Sequence, residues 1–225
     1  MKYMGSKARH AKSIIESMSI PPDAIYIEPF VGGANVICDV KAKERIGYDV
    51  DIDLIAVLDA ASKGWTPPER ISESDYTDLK TSKPSALKGY AAFALSYGGK
   101  KWGGWCRDRE GKRDYCIEAF NNAMEQFPKL IGVKFKCLSF TEIEIPVGSY
   151  VYCDPPYAGT THYSSKFDSH QFWGWVIKNS TGNWRFVSEY TTPDFSEVWN
   201  RRVSSSLTAD TGAKIATERL FEVKY

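Results

Sequence analysis

The stretch Ser149-Tyr150-Val151-Tyr152-Cys153-Asp154-Pro155-Pro156-Tyr157 decides the fold. Its first five residues are uncharged and rich in β-formers, the composition of a buried strand. The double proline ends that strand, because proline brings no N–H to a ladder and holds φ near one value. A carboxylate, a backbone carbonyl and an aromatic ring are thereby left together at the C-terminal edge of a strand, where open α/β sheets hold their ligands. Such a group can accept hydrogen bonds from a flat amino group and stack on the ring that carries it. An ordinary strand-end turn, with Asp154 as its Asx cap, accounts for the same residues.

Upstream, Lys2-Tyr3-Met4-Gly5-Ser6-Lys7 is a short basic loop, and a helix follows with Ile14, Ile15 and Met18 on one face until Pro21-Pro22. Ala24-Ile25-Tyr26-Ile27-Glu28 has the pattern of a second buried strand, and Pro29-Phe30-Val31-Gly32-Gly33-Ala34-Asn35 that of the turn into the next helix. Glycines there let backbone approach a ligand closely. They do not complete the Gly-x-Gly-x-x-Gly pattern that holds a pyrophosphate, which points to a cofactor without phosphates. Asp49, at the end of the next strand, is placed to accept hydrogen bonds from ribose hydroxyls. Asp51 or Asp53 can instead cap the helix from Leu54 to Ser62, and the two roles are compatible.

From about Trp65 to Gly132 the alternation of strand and helix stops. Leu87 to Tyr97 and Ile117 to Leu130 have helical patterns. The loop between them carries Lys100, Lys101, Arg107, Arg109, Lys112 and Arg113, with Trp102 and Trp105 set among glycines. Basic side chains contact phosphates and aromatic rings stack on bases, so the loop is a candidate nucleic-acid contact. A solvated surface loop is the alternative, since Asp108, Glu110 and Asp114 answer three of the six cations.

The strand pattern resumes at Val133 to Leu138, followed by Ser139-Phe140. Beyond the Asp154 motif, Ala158 to Phe167 is a polar loop, containing Tyr163, able to fold over a bound base. Asp168 caps a helix bearing Phe172, Trp173, Trp175 and Val176. Trp184–Ser188, Arg201–Leu207 and Arg219–Lys224 read as strands, the last two joined through Thr208 to Lys214 as a hairpin. The expectation is an α/β fold of seven strands.

A chain of 225 residues suits one domain with an insertion. Its net charge of +1 means that any nucleic-acid contact must come from a local patch. There is no apolar leader and no run near the roughly 20 apolar residues of a membrane span, so a cytoplasmic location is expected. Five cysteines without a CxxC pair point to reduced thiols, and three scattered histidines do not suggest a metal centre.

Four elements, Lys2-Tyr3-Met4-Gly5-Ser6-Lys7, Glu28-Pro29-Phe30-Val31-Gly32-Gly33, Asp49-Val50-Asp51 and Asp154-Pro155-Pro156-Tyr157, resemble in kind and order those of the DNA adenine-N6 methyltransferases of the Dam type. The resemblance implies a Rossmann-like, seven-stranded methyltransferase sheet from 1–64 and 133–225, with 65–132 an inserted, mainly helical target-recognition segment. It implies S-adenosylmethionine as cofactor, double-stranded DNA with a flipped-out adenine as substrate, and no metal. Asp154, Pro155, Pro156 and Tyr157 would form the catalytic group. Phe30, Gly32 and Gly33 would line the methionine part of the cofactor, with Glu28, Pro29 and Asp154 beside them. Asp49 would hold the ribose, and Tyr3 and Lys7 would border the cofactor and target pocket. Ser139 stands where the family often carries an acid facing the cofactor adenine. The nearest rival is a methyltransferase acting on RNA or on a protein amide, which share an Asn/Asp-Pro-Pro-Tyr motif; a DNA-binding module with a decayed core is another.

Overall fold

A computed structural model describes residues 1–108, 110–156, 167–189, 195–205 and 214–224. These form one seven-stranded sheet from β1 (Ile25–Glu28), β2 (Glu44–Asp49), β3 (Lys134–Cys137), β4 (Tyr150–Cys153), β5 (Trp184–Glu189), β6 (Ser196–Ser205) and β7 (Lys214–Val223). The strand order is β3-β2-β1-β4-β5-β7-β6. The first five strands run parallel, and β7 lies antiparallel between β5 and β6. This is the Rossmann-like seven-stranded architecture with a terminal hairpin that the sequence leads one to expect.

Alternation along the strands builds two cores. Tyr26, Tyr152, Phe186 and Leu220 face one core, shared with α1 (Ala11–Met18), α2 (Ile52–Ser62), α4 (Ala86–Ala94) and α5 (Tyr115–Gln126). Ile27, Val151, Cys153 and Val187 face the other, with Phe140 and with Phe172 and Val176 of α6 (Ser169–Lys178). The caps foreseen in the sequence form. Asp51 accepts from the amides of Asp53 and Leu54 at the start of α2, and Asp168 from that of Gln171 in α6. No described helix is long and apolar enough to cross a membrane.

Two expectations change. No helix follows the glycine turn, and residues 35–39 form successive turns. The carbonyls a helix would use are taken by side chains. Gln126 donates to Gly33 and Ala34, and Arg45 to Ile37 and Cys38. The terminal strands are also longer than expected, because β6 and β7 pair from Ser196↔Glu222 to Ser205↔Lys214. Residues 208–213 of the expected hairpin connection lie outside the described residues. The segment 65–132 shares the larger core through Tyr90, Phe93, Ala123 and Phe127.

The chain passes from β1 through β2 to β3 on one side, then returns to place β4 on the other side of β1. That reversal opens a crevice beyond the C-terminal ends of β1 and β4, the place where such sheets bind ligands.

Candidate active site

Asp154 follows the last residue of β4 and so stands at this crevice. Its Oδ1 lies 3.2 Å from Nζ of Lys7, which the loop ahead of α1 carries over the sheet edge. Lys7 is only 7% exposed, so the contact is shielded from water. A second carboxylate, Glu218 on β7, lies 3.6 Å from the same ammonium. Pro155 is buried and Pro156 half-buried. Tyr157 lies outside the described residues, as does Tyr163.

The glycine turn behind β1 is tied to the end of β2 through Asp49. Its Oδ2 accepts from the Gly32 amide at 3.2 Å and its Oδ1 from the Asp51 amide at 3.0 Å. Burial pushes the Asp49 carboxyl up to about 6, opposed by those two amide bonds. Gly32 has φ +47°, which favours glycine. A Cβ on Gly32 would come within 2.9 Å of the Tyr3 ring, and one on Gly33 within 2.6 Å of the Tyr3 Cβ. The close approach that the glycines permit is thus made by the chain's own Tyr3. That ring also packs on Phe93 at 5.4 Å, while the Met4 amide donates to Gly99 at 3.1 Å.

Phe30 joins an aromatic cluster with Phe140, Phe167 and Phe172, ring centres 5.4–5.8 Å apart. Pro29 is buried. Glu28 is 2% exposed and accepts from the Tyr26 hydroxyl at 2.8 Å. Burial raises its carboxyl to about 8, so it is largely uncharged at neutral pH. Ser139 caps the turn at Phe140–Glu142: its hydroxyl accepts from Thr141, and Glu142 accepts from the Ser139 amide. The half-buried Asp49 carboxylate, ending β2 and tied to the glycine turn, could accept from the hydroxyls of a bound nucleoside.

The cations of the loop expected to touch nucleic acid pair mostly with carboxylates outside it. Lys101 reaches back to Asp51 and Asp53, 2.8 Å from each. Arg107 pairs with Glu73 on α3 (Glu73–Leu79), Lys112 with Glu110 and Arg113 with Glu118. Asp114 pairs with Arg70, outside the loop, and Lys100 is exposed. Trp102 and Trp105 are half-buried and pack on Tyr76, with ring centres at 5.1 and 5.3 Å. Their first role is packing, because Tyr76 offers an apolar surface that the sequence does not reveal. Arg109 lies outside the described residues. Arg70, Trp105, Arg107, Arg113 and Tyr115 border an open cleft of ≈ 820 Å³.

No protein-family model matches the chain, and no curated protein sequence does. Among solved structures, the chain is similar to the rRNA methyltransferase aviRa from Streptomyces viridochromogenes, with 9% identity and a TM-score of 0.43 over 96% of this chain and 83% of that one. It is also similar to the 23S rRNA methyltransferase ErmE, with 10% identity and a TM-score of 0.43 over 98% and 70% of the two chains.

Two residues at the site escaped sequence reasoning. Gln126, on α5, anchors the glycine turn through Gly33 and Ala34 at 2.9 and 3.0 Å. Glu218 shares Lys7 with Asp154. Neither sits in a motif, and only the packing of α5 and the order of the strands bring them there.

Proposed function

We propose that the chain is an S-adenosylmethionine-dependent methyltransferase that methylates the N6 amino group of an adenine turned out of duplex DNA. One observation carries this reading: Asp154 and Pro155 directly follow β4 at the strand-order reversal, where β1 leads into the turn of Phe30, Gly32 and Gly33 that Asp49 ties to β2. The cofactor, when bound, supplies a methyl group on a sulfonium sulfur.

The chain's own residues supply position and charge. An adenine amino nitrogen is a weak nucleophile because its lone pair is delocalised into the ring. The Asp154 carboxylate and the Pro155 carbonyl accept its two N–H groups and favour a pyramidal nitrogen whose lone pair points at the methyl. The carboxylate also stabilises positive charge as it grows on that nitrogen. Asp49 accepts from the ribose hydroxyls, and Tyr157 stacks on the flipped base. Exposed Lys100, and Arg107, Lys112 and Arg113 after exchanging their surface carboxylates, contact phosphates. Surface ion pairs are weak enough for that exchange.

The test is transfer of isotope-labelled methyl from S-adenosylmethionine to duplex DNA, single-stranded DNA, RNA and protein, followed by nucleoside analysis. N6-methyladenine in duplex DNA is expected, with Asp154→Ala lowering transfer by orders of magnitude and leaving cofactor binding nearly intact. Label appearing only in RNA or protein would refute the DNA reading. Near-normal turnover in Asp154→Ala would refute the mechanism.

A further inference from the structure

Glu218 belongs to no motif of the site, yet it shares an ammonium with Asp154. Because β7 runs antiparallel, pairing Arg219 with Glu189 at the end of β5, its early residues lie at the edge where the parallel strands end. Lys7 spans the gap, with Nζ 3.2 Å from Asp154 and 3.6 Å from Glu218. All three side chains are shielded, at 8%, 20% and 16% exposure for Lys7, Asp154 and Glu218. Charges so placed act on one another more strongly than at an open surface. The second oxygen of Glu218, Oε2, is buried without a hydrogen-bond partner among the described residues. A carboxylate so placed carries a desolvation cost that the ammonium must offset.

We propose that Glu218 is a positioning residue for methyl transfer at Asp154: by sharing Lys7, it lets the cation anchor Asp154 without cancelling the negative field there. This rests on the methyltransferase reading above. A lone Lys7–Asp154 pair is neutral overall, whereas the trio carries one net negative charge. Only a negative field favours an amino nitrogen that becomes cationic in the transition state. Among the described residues, further titratable groups lie in the field of the trio. Glu28, on β1, is held uncharged by burial. Tyr152, on β4, is raised first by burial and then by Asp154, with Glu28 and Glu218 adding to it, as expected when these carboxylates lie around one spot. On the far side, His10 lies in the field of Glu218, Lys7, Arg9 and Arg201, and its Nδ1 is buried and unpartnered among the described residues.

The test uses Glu218→Gln, which removes the charge and keeps the shape, and Glu218→Asp, which restores the charge. Side-chain carbon-13 NMR of lysine, with Lys7 assigned through Lys7→Arg, follows the Lys7 titration in the protein alone. Losing one of two anions within this distance should lower the Lys7 midpoint by about 1–3 units, and Glu218→Asp should recover most of the shift. In turnover assays, Glu218→Gln should lower kcat at pH values where Lys7 is charged, with cofactor affinity unchanged and Glu218→Asp restoring most of the loss. A merely structural ion pair would shift the Lys7 midpoint and leave kcat unchanged, and that outcome overturns the positioning role. An unshifted Lys7 midpoint in a Glu218→Gln protein that melts as a folded chain overturns the proposal. A shifted midpoint in a protein that methylates no substrate overturns the methyltransferase reading, and the catalytic role with it, while the Glu218–Lys7 pairing survives.

Discussion

Replacing Glu28 with Gln should remove most of a pH-dependent loss of stability. Glu28 lies buried at the end of β1, and burial raises its carboxyl from 4.5 to about 8. In the unfolded chain the group ionises near its ordinary value, while the folded protein keeps it protonated. Stability from this group is therefore complete below about 4.5 and is lost as pH rises through about 8. At pH 7 the loss amounts to roughly 3 kcal/mol, taking about 1.4 kcal/mol per unit of separation. Glutamine keeps the carbonyl acceptor for the backbone, and the Tyr26 hydroxyl, which now donates to Oε1 at 2.8 Å, can turn to accept from the amide. Asp49, raised from 3.8 to about 6, adds a loss of the same sign that is complete nearer neutrality and is common to both proteins. Urea unfolding from pH 5 to 9 checks this. The difference in stability between Glu28→Gln and wild type should grow with pH by about that amount. Parallel curves across the range would refute the reasoning.

Asp49→Ala should weaken S-adenosylmethionine binding roughly 10- to 150-fold, the equivalent of about 1.5–3 kcal/mol for hydrogen bonds to a charged acceptor. Calorimetry showing unchanged affinity would reduce Asp49 to the link between Gly32 and Asp51. Trp102→Ala should cost roughly 2 kcal/mol or more of stability, because the half-buried ring packs edge-on against Tyr76 at 5.1 Å. Thermal unfolding measures that cost. A variant as stable as wild type, but impaired on duplex and not on single-stranded DNA, would return Trp102 to the nucleic-acid surface.

What the sequence determined was local. The stop after β4 follows from prolines that cannot donate, and the starts of α2 and α6 follow from Asp51 and Asp168, whose side chains cap amides two or three residues ahead. Once the run ahead of those prolines is a strand, its period of two sends Tyr152 and Val151 to opposite faces without reference to anything distant. The tertiary structure decided which residues meet across the chain. Gly32 and Gly33 read as room for a ligand, yet the nearest ring is Tyr3, carried there by the packing of the N-terminal loop on Phe93 and Gly99. Lys101 read as a cation for phosphate, yet α2 presents Asp51 and Asp53 to it at 2.8 Å. Lys7, Asp154 and Glu218 are far apart in sequence and meet because β1 lies between β2 and β4 and because β7 runs against its neighbours. Capping and strand termination act over a few residues and are written in the residues themselves. A charge finds its partner only where crossovers and strand order place one, and no local pattern encodes that order.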